Sequence, residues 1–280
     1  MSVNWLLLFI PITLVLEHLG VPPTLLFFSA AIAIVPIAAL IVHATEQVAS
    51  RTGEAIGGLL NATFGNAPEL IICLVALKAG YLEMVRAALI GGILANLLLA
   101  MGVSFFLGGL RYHQQNFNAN AARLYVSTML LAVISMAIPS AFSRAFAPDG
   151  VVRDEQMLNI GIAVTLLLAY GLYLLFSLKT HPEAFASTTI AAEGESEGHG
   201  HGGKVWSLQR AIGSLIGASL LAAWMSEILV GAAEGTGKAL GMSDIFIGVV
   251  FLAVIGGAAE SGSAIAVARR NRMDLAIGIA

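Results

Sequence analysis

The chain has 280 residues, 58% of them hydrophobic and only 11% charged, with a formal net charge of −3 and a mean hydropathy of +0.87. A soluble domain of this size needs a far more charged surface, so the composition points to an integral membrane protein, for which lipid replaces water. No basic cluster suits nucleic acid, and the single cysteine, Cys73, excludes an intrachain disulfide and reads as a small apolar packing residue.

Apolar segments separated by short polar breaks predict membrane helices over 3–19, 24–43, 55–77, 84–110, 121–142, 156–178, 208–233 and 244–268. Each is near the ~20 residues needed to cross a bilayer, and such runs exclude the ~10-residue alternating strands of a membrane barrel. The fold class is therefore all-α integral membrane. The first segment carries Pro11 but no preceding Lys or Arg and no small-residue cleavage site, so it reads as a membrane helix rather than a cleaved leader. Trp5 and Trp206 read as interface anchors and Trp224 as a packing residue. From Lys179 to Ser207 the chain turns acidic at Glu193, Glu195 and Glu197, then rich in Gly and His. This is an exposed linker between two blocks. His199 and His201 lack the rigid frame of a metal site and read as solvated.

Arg51, Arg111, Arg123, Lys179, Lys204, Arg210, Arg269, Arg270 and Arg272 fall on one set of loops. Lys78, Arg86, Arg144, Arg153 and Lys238 fall on the other. The richer side is expected to be cytoplasmic, with the N-terminus and the linker. The expected setting is a prokaryotic inner membrane, with a vacuole-type membrane as the alternative. RRNRMDLAIGIA opens a further apolar segment that stops short of the ~15 more residues a stable span requires. The chain is accordingly expected to be a fragment of a longer protein.

Two stretches resemble each other: HATEQVASRTGEAIGGLLNATFGNAPELIICLVAL and ILVGAAEGTGKALGMSDIFIGVVFLAVIGGAAESGSAIAVA. In each, a first glutamate (Glu46, Glu234) precedes a Gly-rich core that ends in a second (Glu69, Glu260), the pattern of an internal repeat. The two core glutamates fall on the third and eighth predicted helices. The odd offset inverts the second copy, as in many secondary transporters whose sites form where interrupted helices meet. The expected organisation is a first helix over 1–22, a first repeat over 23–178 with helices 2–6, the linker over 179–207, and a partial second repeat over 208–280 with helices 7–8 and the start of 9.

Gly65 and Gly257 weaken their helices and admit close backbone approach. Pro68 removes an amide donor and frees a carbonyl near residue 64, which is tolerated only where it lines a cavity. Asn66 supplies a neutral oxygen, and Glu69 lies one turn beyond it on nearly the same face. With Glu260 arriving from the opposite direction, the set suits a hard cation such as calcium. The competing readings are glutamates that snorkel to the interface, a plain proline kink, and a glycosylation sequon at Asn61 placed inside a helix. Asn96, in GGILANLLLA, is a candidate pathway residue, a helix–helix hydrogen bond being the bland alternative. Glu46 and Glu227 are candidate guides for cations or protons, while Glu234 marks a helix end.

GLLNATFGNAPELI resembles the first signature of the calcium/proton exchangers of the cation/calcium exchanger superfamily. The resemblance continues through HATEQVASRTGEAIGG, GGILANLLLAMGVSFFLGGLRY, SEILVGAAE and GGAAESGSAIAVARRNRMDLAIGIA, covering most of 40–125 and 222–280. It implies an inverted-repeat exchanger fold of eleven helices, of which about eight are present here. It also implies cation-carrying glutamates in both repeats and an acidic cytoplasmic segment between the halves, of which GESEG looks like a short version. The family's second signature usually reads Gly-Asn-Ala-Ala-Glu-His; here Gly257 stands at the Asn and Ser261 at the His. One oxygen ligand is lost, which Ser261 or Ser263 partly replaces.

The expected function is antiport of Ca2+, or a related cation, for H+ by alternating access. Glu69 and Glu260 would hold protons or one divalent cation in turn, so that the site stays neutral in both states. The alternatives are a sodium-coupled calcium exchanger, which needs more hydroxyl and amide ligands than surround Glu260, and another cation/proton exporter. An intramembrane enzyme is not indicated: there is no H-E-x-x-H, and the helices after the linker contain no His. No resident cofactor is implied, calcium being a transported substrate. The expected partners are that cation, H+ and the bilayer, with no nucleic acid; the sequence leaves a homo-oligomer open.

Overall fold

The computed structural model describes residues 3–52, 59–60, 63–146, 152–180 and 206–280, all-helical wherever regular. The start of the third expected helix, Asn61, and the linker body with His199 and His201 lie outside the described residues. A 3-10 stretch Val3–Leu8 leads into α1 (Phe9–His18), where Pro11 sits in the first turn. Helix α2 (Pro23–Ala49) starts on a proline at its first position. Helix α3 (Ala67–Lys78) is closed by Gly80, whose φ of 88° is left-handed, with the Tyr81 N–H donating to the Ala76 carbonyl at 3.0 Å. Helix α4 (Leu82–Leu94) runs through a π-helical stretch, Ala95–Ala100, into α5 (Met101–Arg111).

Helices α6 (Ala119–Phe146) and α7 (Val152–Leu175) belong to a compact unit of their own, residues 116–195, in which they pack on each other. The other unit comprises residues 1–115 and 196–280. In it α8 (Leu208–Leu240) is capped by the Ser207 hydroxyl, which accepts from the Arg210 N–H, and ends at left-handed Gly241 (φ 68°). Ser243 caps α9 (Asp244–Phe246), which passes through a further π-helical stretch, Ile247–Leu252, into α10 (Ala253–Gly256). After a break at Gly257, α11 (Ala258–Ala268) continues at 57° to the preceding segment, and α12 (Met273–Ile279) follows. Among the described residues five helices are long and apolar enough to cross a membrane, six if the bent pair is one span. The protein is a multi-pass membrane protein.

The long helices α2 and α8 pack antiparallel, and contacts at both ends fix this. Gly235, near the end of α8, lies against Pro23 at the start of α2. At the opposite end, Gln47 Oε1 accepts from the Trp206 N–H at 3.0 Å and Arg51 donates to the Trp206 carbonyl. Trp206 also edges onto His43 and lies under Arg210, so it knits the start of α8 to the end of α2. The seam is built from small and aliphatic side chains, Ala30, Ile34 and Ile37 against Ala218, Ala222 and Leu229, all buried. Small residues permit the close approach on which helix association in lipid depends. Trp224 departs from its expected packing role: it is 48% exposed on the outer face of α8. Both seam helices outrun the expected spans. They continue to Ala49 and Leu240 because hydropathy marks the lipid slab, whereas caps end the helix.

Phe27 is fully buried, its ring edge-on to Phe28 at 5.4 Å and to Phe251 at 5.7 Å. Phe27→Ala is expected to destabilise the protein by roughly 3–5 kcal/mol, read as a lower thermal midpoint in detergent. An unchanged midpoint would show that this aromatic cluster does not hold α2 to the π-helical stretch Ile247–Leu252.

Candidate functional site

Both core glutamates occupy the third position of a half-helix. Glu69 follows Ala67 and Pro68 at the start of α3; Glu260 follows Ala258 and Ala259 at the start of α11. The residue before each helix has nearly the same backbone, φ −90° and ψ 12° at Asn66, φ −79° and ψ 12° at Gly257. Each half-helix therefore begins after a local turn that leaves its first N–H groups without intrahelical partners, a positive end that favours negative charge.

The half-helices run toward opposite ends of the unit. Beyond α3, Tyr81 donates its hydroxyl to Glu234 near the end of α8, at 3.3 Å. The last carbonyl of α11, at Ala268, accepts from Gln115 beyond α5, at 2.9 Å. Their starts meet in the middle, where the Glu69 and Glu260 carboxyl groups lie close enough to act on each other electrostatically. Gly256 makes this possible: a Cβ there would lie 3.0 Å from Glu69 Cγ, so the Glu69 side chain rests on bare backbone. Asn96 joins from the π-helical stretch after α4, its Oδ1 3.5 Å from the position a Cβ would take on Gly257. The Oε2 atom of Glu69 is buried and has no hydrogen-bond partner among the described residues. A buried carboxylate oxygen left unpaired costs free energy, unless something outside the chain meets it.

The structure thus brings together Glu69, Glu260, Gly257 and Asn96. Gly65 and Asn66 form the turn before α3, with Asn66 exposed. They do not share a continuous helix face with Glu69, since the helix begins only at Ala67. Pro68 is buried in the first turn, where its absent N–H removes no intrahelical hydrogen bond. The break is made by the turn at Gly65 and Asn66. Ser261 is half-buried, its N–H bonded to the Gly257 carbonyl at 2.9 Å. Glu46 lies 3.6 Å from His43 Nδ1, and exposed Glu227 lies 3.7 Å from Lys78 Nζ. Sequence reasoning missed Gly256. Aligning FGNAPE with IGGAAE on their glutamates would have found it, because Gly256 then stands opposite Gly65 and Gly257 opposite Asn66. Among the described residues no three His, Cys, Asp or Glu side chains converge, so the acidic centre is a pair.

Broken helices that start toward each other from opposite ends, each with a glutamate at its first turn, define an inverted-repeat secondary transporter. The family profile described as "Sodium/calcium exchanger protein" matches residues 22–179 and 210–280. A protein from Aphanothece halophytica named Ca(2+)/H(+) antiporter is 41% identical over 98% of this chain and 75% of its own length. One of the same name from Synechocystis sp. is 40% identical over 98% of this chain and 76% of its own length. The solved structure of native YfkE superposes with a TM-score of 0.80 and 34% identity, covering 99% of this chain and 76% of that one. The chain belongs to the sodium/calcium exchanger protein family.

Proposed function

We propose that the protein exchanges Ca2+ for H+ across a bilayer by alternating access, with the Glu69–Glu260 pair as the carrier site. The observation that carries this reading is the buried, unpartnered Oε2 of Glu69 within a pair of carboxyl groups at the starts of two opposed half-helices. Two carboxylates this close repel strongly at low dielectric, so the pair needs a proton or a cation between them. Two protons leaving as one divalent cation enters keep the site neutral in both states, which makes either form fit to cross. The Glu69 and Glu260 oxygens, with Asn96 Oδ1, suit a hard cation. The names of the relatives support calcium and protons as the exchanged pair.

Glu46 and Glu234 stand near opposite ends of the long seam helices, Glu46 beside His43 and Glu234 beside Tyr81 and Lys238. In this account they collect cations or protons at the two mouths. The end that carries Arg51, Arg111, Arg269, Arg270 and Arg272 faces the cytoplasm, as the excess of cationic side chains there favours. The proposed setting is a prokaryotic plasma membrane.

Reconstitution into vesicles with an acid lumen tests the reading. Ca2+ is expected to accumulate inside as protons leave, and a protonophore is expected to abolish the uptake. Because the family's description also names sodium, the same vesicles are loaded with Na+ at equal pH. Uptake driven by the Na+ gradient alone would replace protons with sodium as the counter-ion. Failure of either gradient to move Ca2+ would overturn calcium exchange.

A further inference from the structure

Helices α3 and α8 run toward the same end of their unit, and polar side chains join them there. Glu227 and Glu234 stand two turns apart on one face of α8. They meet the end of α3 in register: Lys78 Nζ lies 3.7 Å from Glu227 Oε1, and the Tyr81 hydroxyl donates to Glu234 Oε2 at 3.3 Å. The second oxygen of Glu234 receives Lys238 from one turn further along α8. Tyr81 is half-buried against the core, which holds its ring in place. These contacts cross from the seam pair, α2 and α8, to a helix that carries the site. At the other end, Gln47 and Arg51 of α2 hold Trp206 at the start of α8, a set of contacts inside the seam pair. Gln115 beyond α5 holds the last carbonyl of α11 there, a contact among the site helices.

We infer that the Tyr81–Glu234 hydrogen bond is a latch that keeps the mouth at its end closed, which makes Tyr81 a gating residue of the exchange cycle. The inference rests on the alternating-access reading above and deepens it. Alternating access moves the seam pair against the helices that begin at Glu69 and Glu260. The apolar packing of α3 on α8, with Ile72 and Leu229 in one core cluster, is non-directional and tolerates sliding. A hydrogen bond does not, because it weakens steeply with distance and angle. Opening a path between α3 and α8 from the carrier pair to this face therefore breaks the Tyr81–Glu234 contact, while the Trp206 contacts travel with the seam pair. Breaking it also frees a carboxylate oxygen at the mouth where the cation passes. The strength fits the task. A partly exposed hydrogen bond is modest, and the exposed Lys78–Glu227 pair adds little; a contact broken in every cycle must not trap the protein.

The test places the purified full chain in vesicles in a single orientation and measures, at each face, the Ca2+ concentration that half-saturates transport. Tyr81→Phe keeps the ring and removes the hydroxyl. Releasing the latch raises the population open at the Tyr81 face at the expense of the population open at the Arg51 face. Half-saturation is therefore expected at about threefold lower Ca2+ on the Tyr81 face, and at higher Ca2+ on the Arg51 face. A purely structural role would weaken both faces alike. Tyr81→Leu, which removes hydroxyl and ring together, decides the matter should the Phe variant not fold. Half-saturation unchanged at both faces, or shifted in the same direction at both, would overturn the inference. If instead the wild type moves no Ca2+ from either face, the exchange reading itself fails and the latch falls with it.

Discussion

Glu69→Gln is expected to lower pH-driven Ca2+ uptake at least about 100-fold, equivalent to about 3 kcal/mol. The substitution keeps the shape of the side chain and its rest on Gly256, but removes one of the two charges that would neutralise a divalent cation. With only Glu260 left, the cation-loaded site carries an uncompensated positive charge in a low-dielectric setting, and one exchangeable proton is gone. The folded protein should not suffer. The substitution replaces a buried ionisable group by a neutral amide of the same shape, so the thermal midpoint is expected to stay level or rise. Loss of uptake with an intact midpoint separates a carrier residue from a structural one. Retained uptake would remove Glu69 from the carrier site.

The second large effect concerns the crossing of α4 with the π-helical stretch Ile247–Leu252. A Cβ on Gly248 would lie 2.8 Å from Ala87 Cβ and overlap the Met84 carbonyl, and one on Gly91 would lie 2.6 Å from Val249 Cα. The two helices meet backbone to backbone, closer than any side chain allows. Gly248→Ala is expected to destabilise by roughly 1–3 kcal/mol through overpacking. It should also impair uptake, because this crossing sets where Asn96 stands relative to Gly257. Gly92→Ala is the control. A Cβ there meets nothing within 4 Å, and the change adds up to about 1 kcal/mol of helix propensity. Thermal unfolding in detergent, with uptake measured alongside, gives both readings. A Gly248→Ala protein as stable and as active as the Gly92→Ala protein would show that the crossing tolerates separation.

Much of this fold could be read from the residues, because lipid leaves a coarse mark. Spans such as Pro23–Ala49 and Leu208–Leu240 stand out by hydropathy, and the Gly-rich cores ending in Glu69 and Glu260 stand out because such residues are costly among apolar neighbours. What hydropathy could not give was where a helix stops or which way a side chain faces. The polar run Glu234 to Lys238 looks like a loop, yet it stays helical until left-handed Gly241 and the Ser243 cap close it. Glu227 reads as an intramembrane acid, but α8 turns it outward toward Lys78. The π-helical stretches ANLLLA and IGVVFL carry no local signature. The second of them lies at the Gly91–Gly248 approach, a tertiary contact that no window of sequence contains. Gly256 was hidden for the same reason, since its purpose appears only when Glu69 from the other repeat is laid against it.

The central claim is that one pair of carboxyl groups carries either protons or a cation. The most direct measurement is the number of protons released per Ca2+ bound by the purified wild-type chain, starting from its proton-loaded form in weakly buffered detergent solution. The account predicts about two protons per Ca2+, with the release lost in Glu69→Gln. Calcium binding without proton release, or release unchanged in Glu69→Gln, would contradict it.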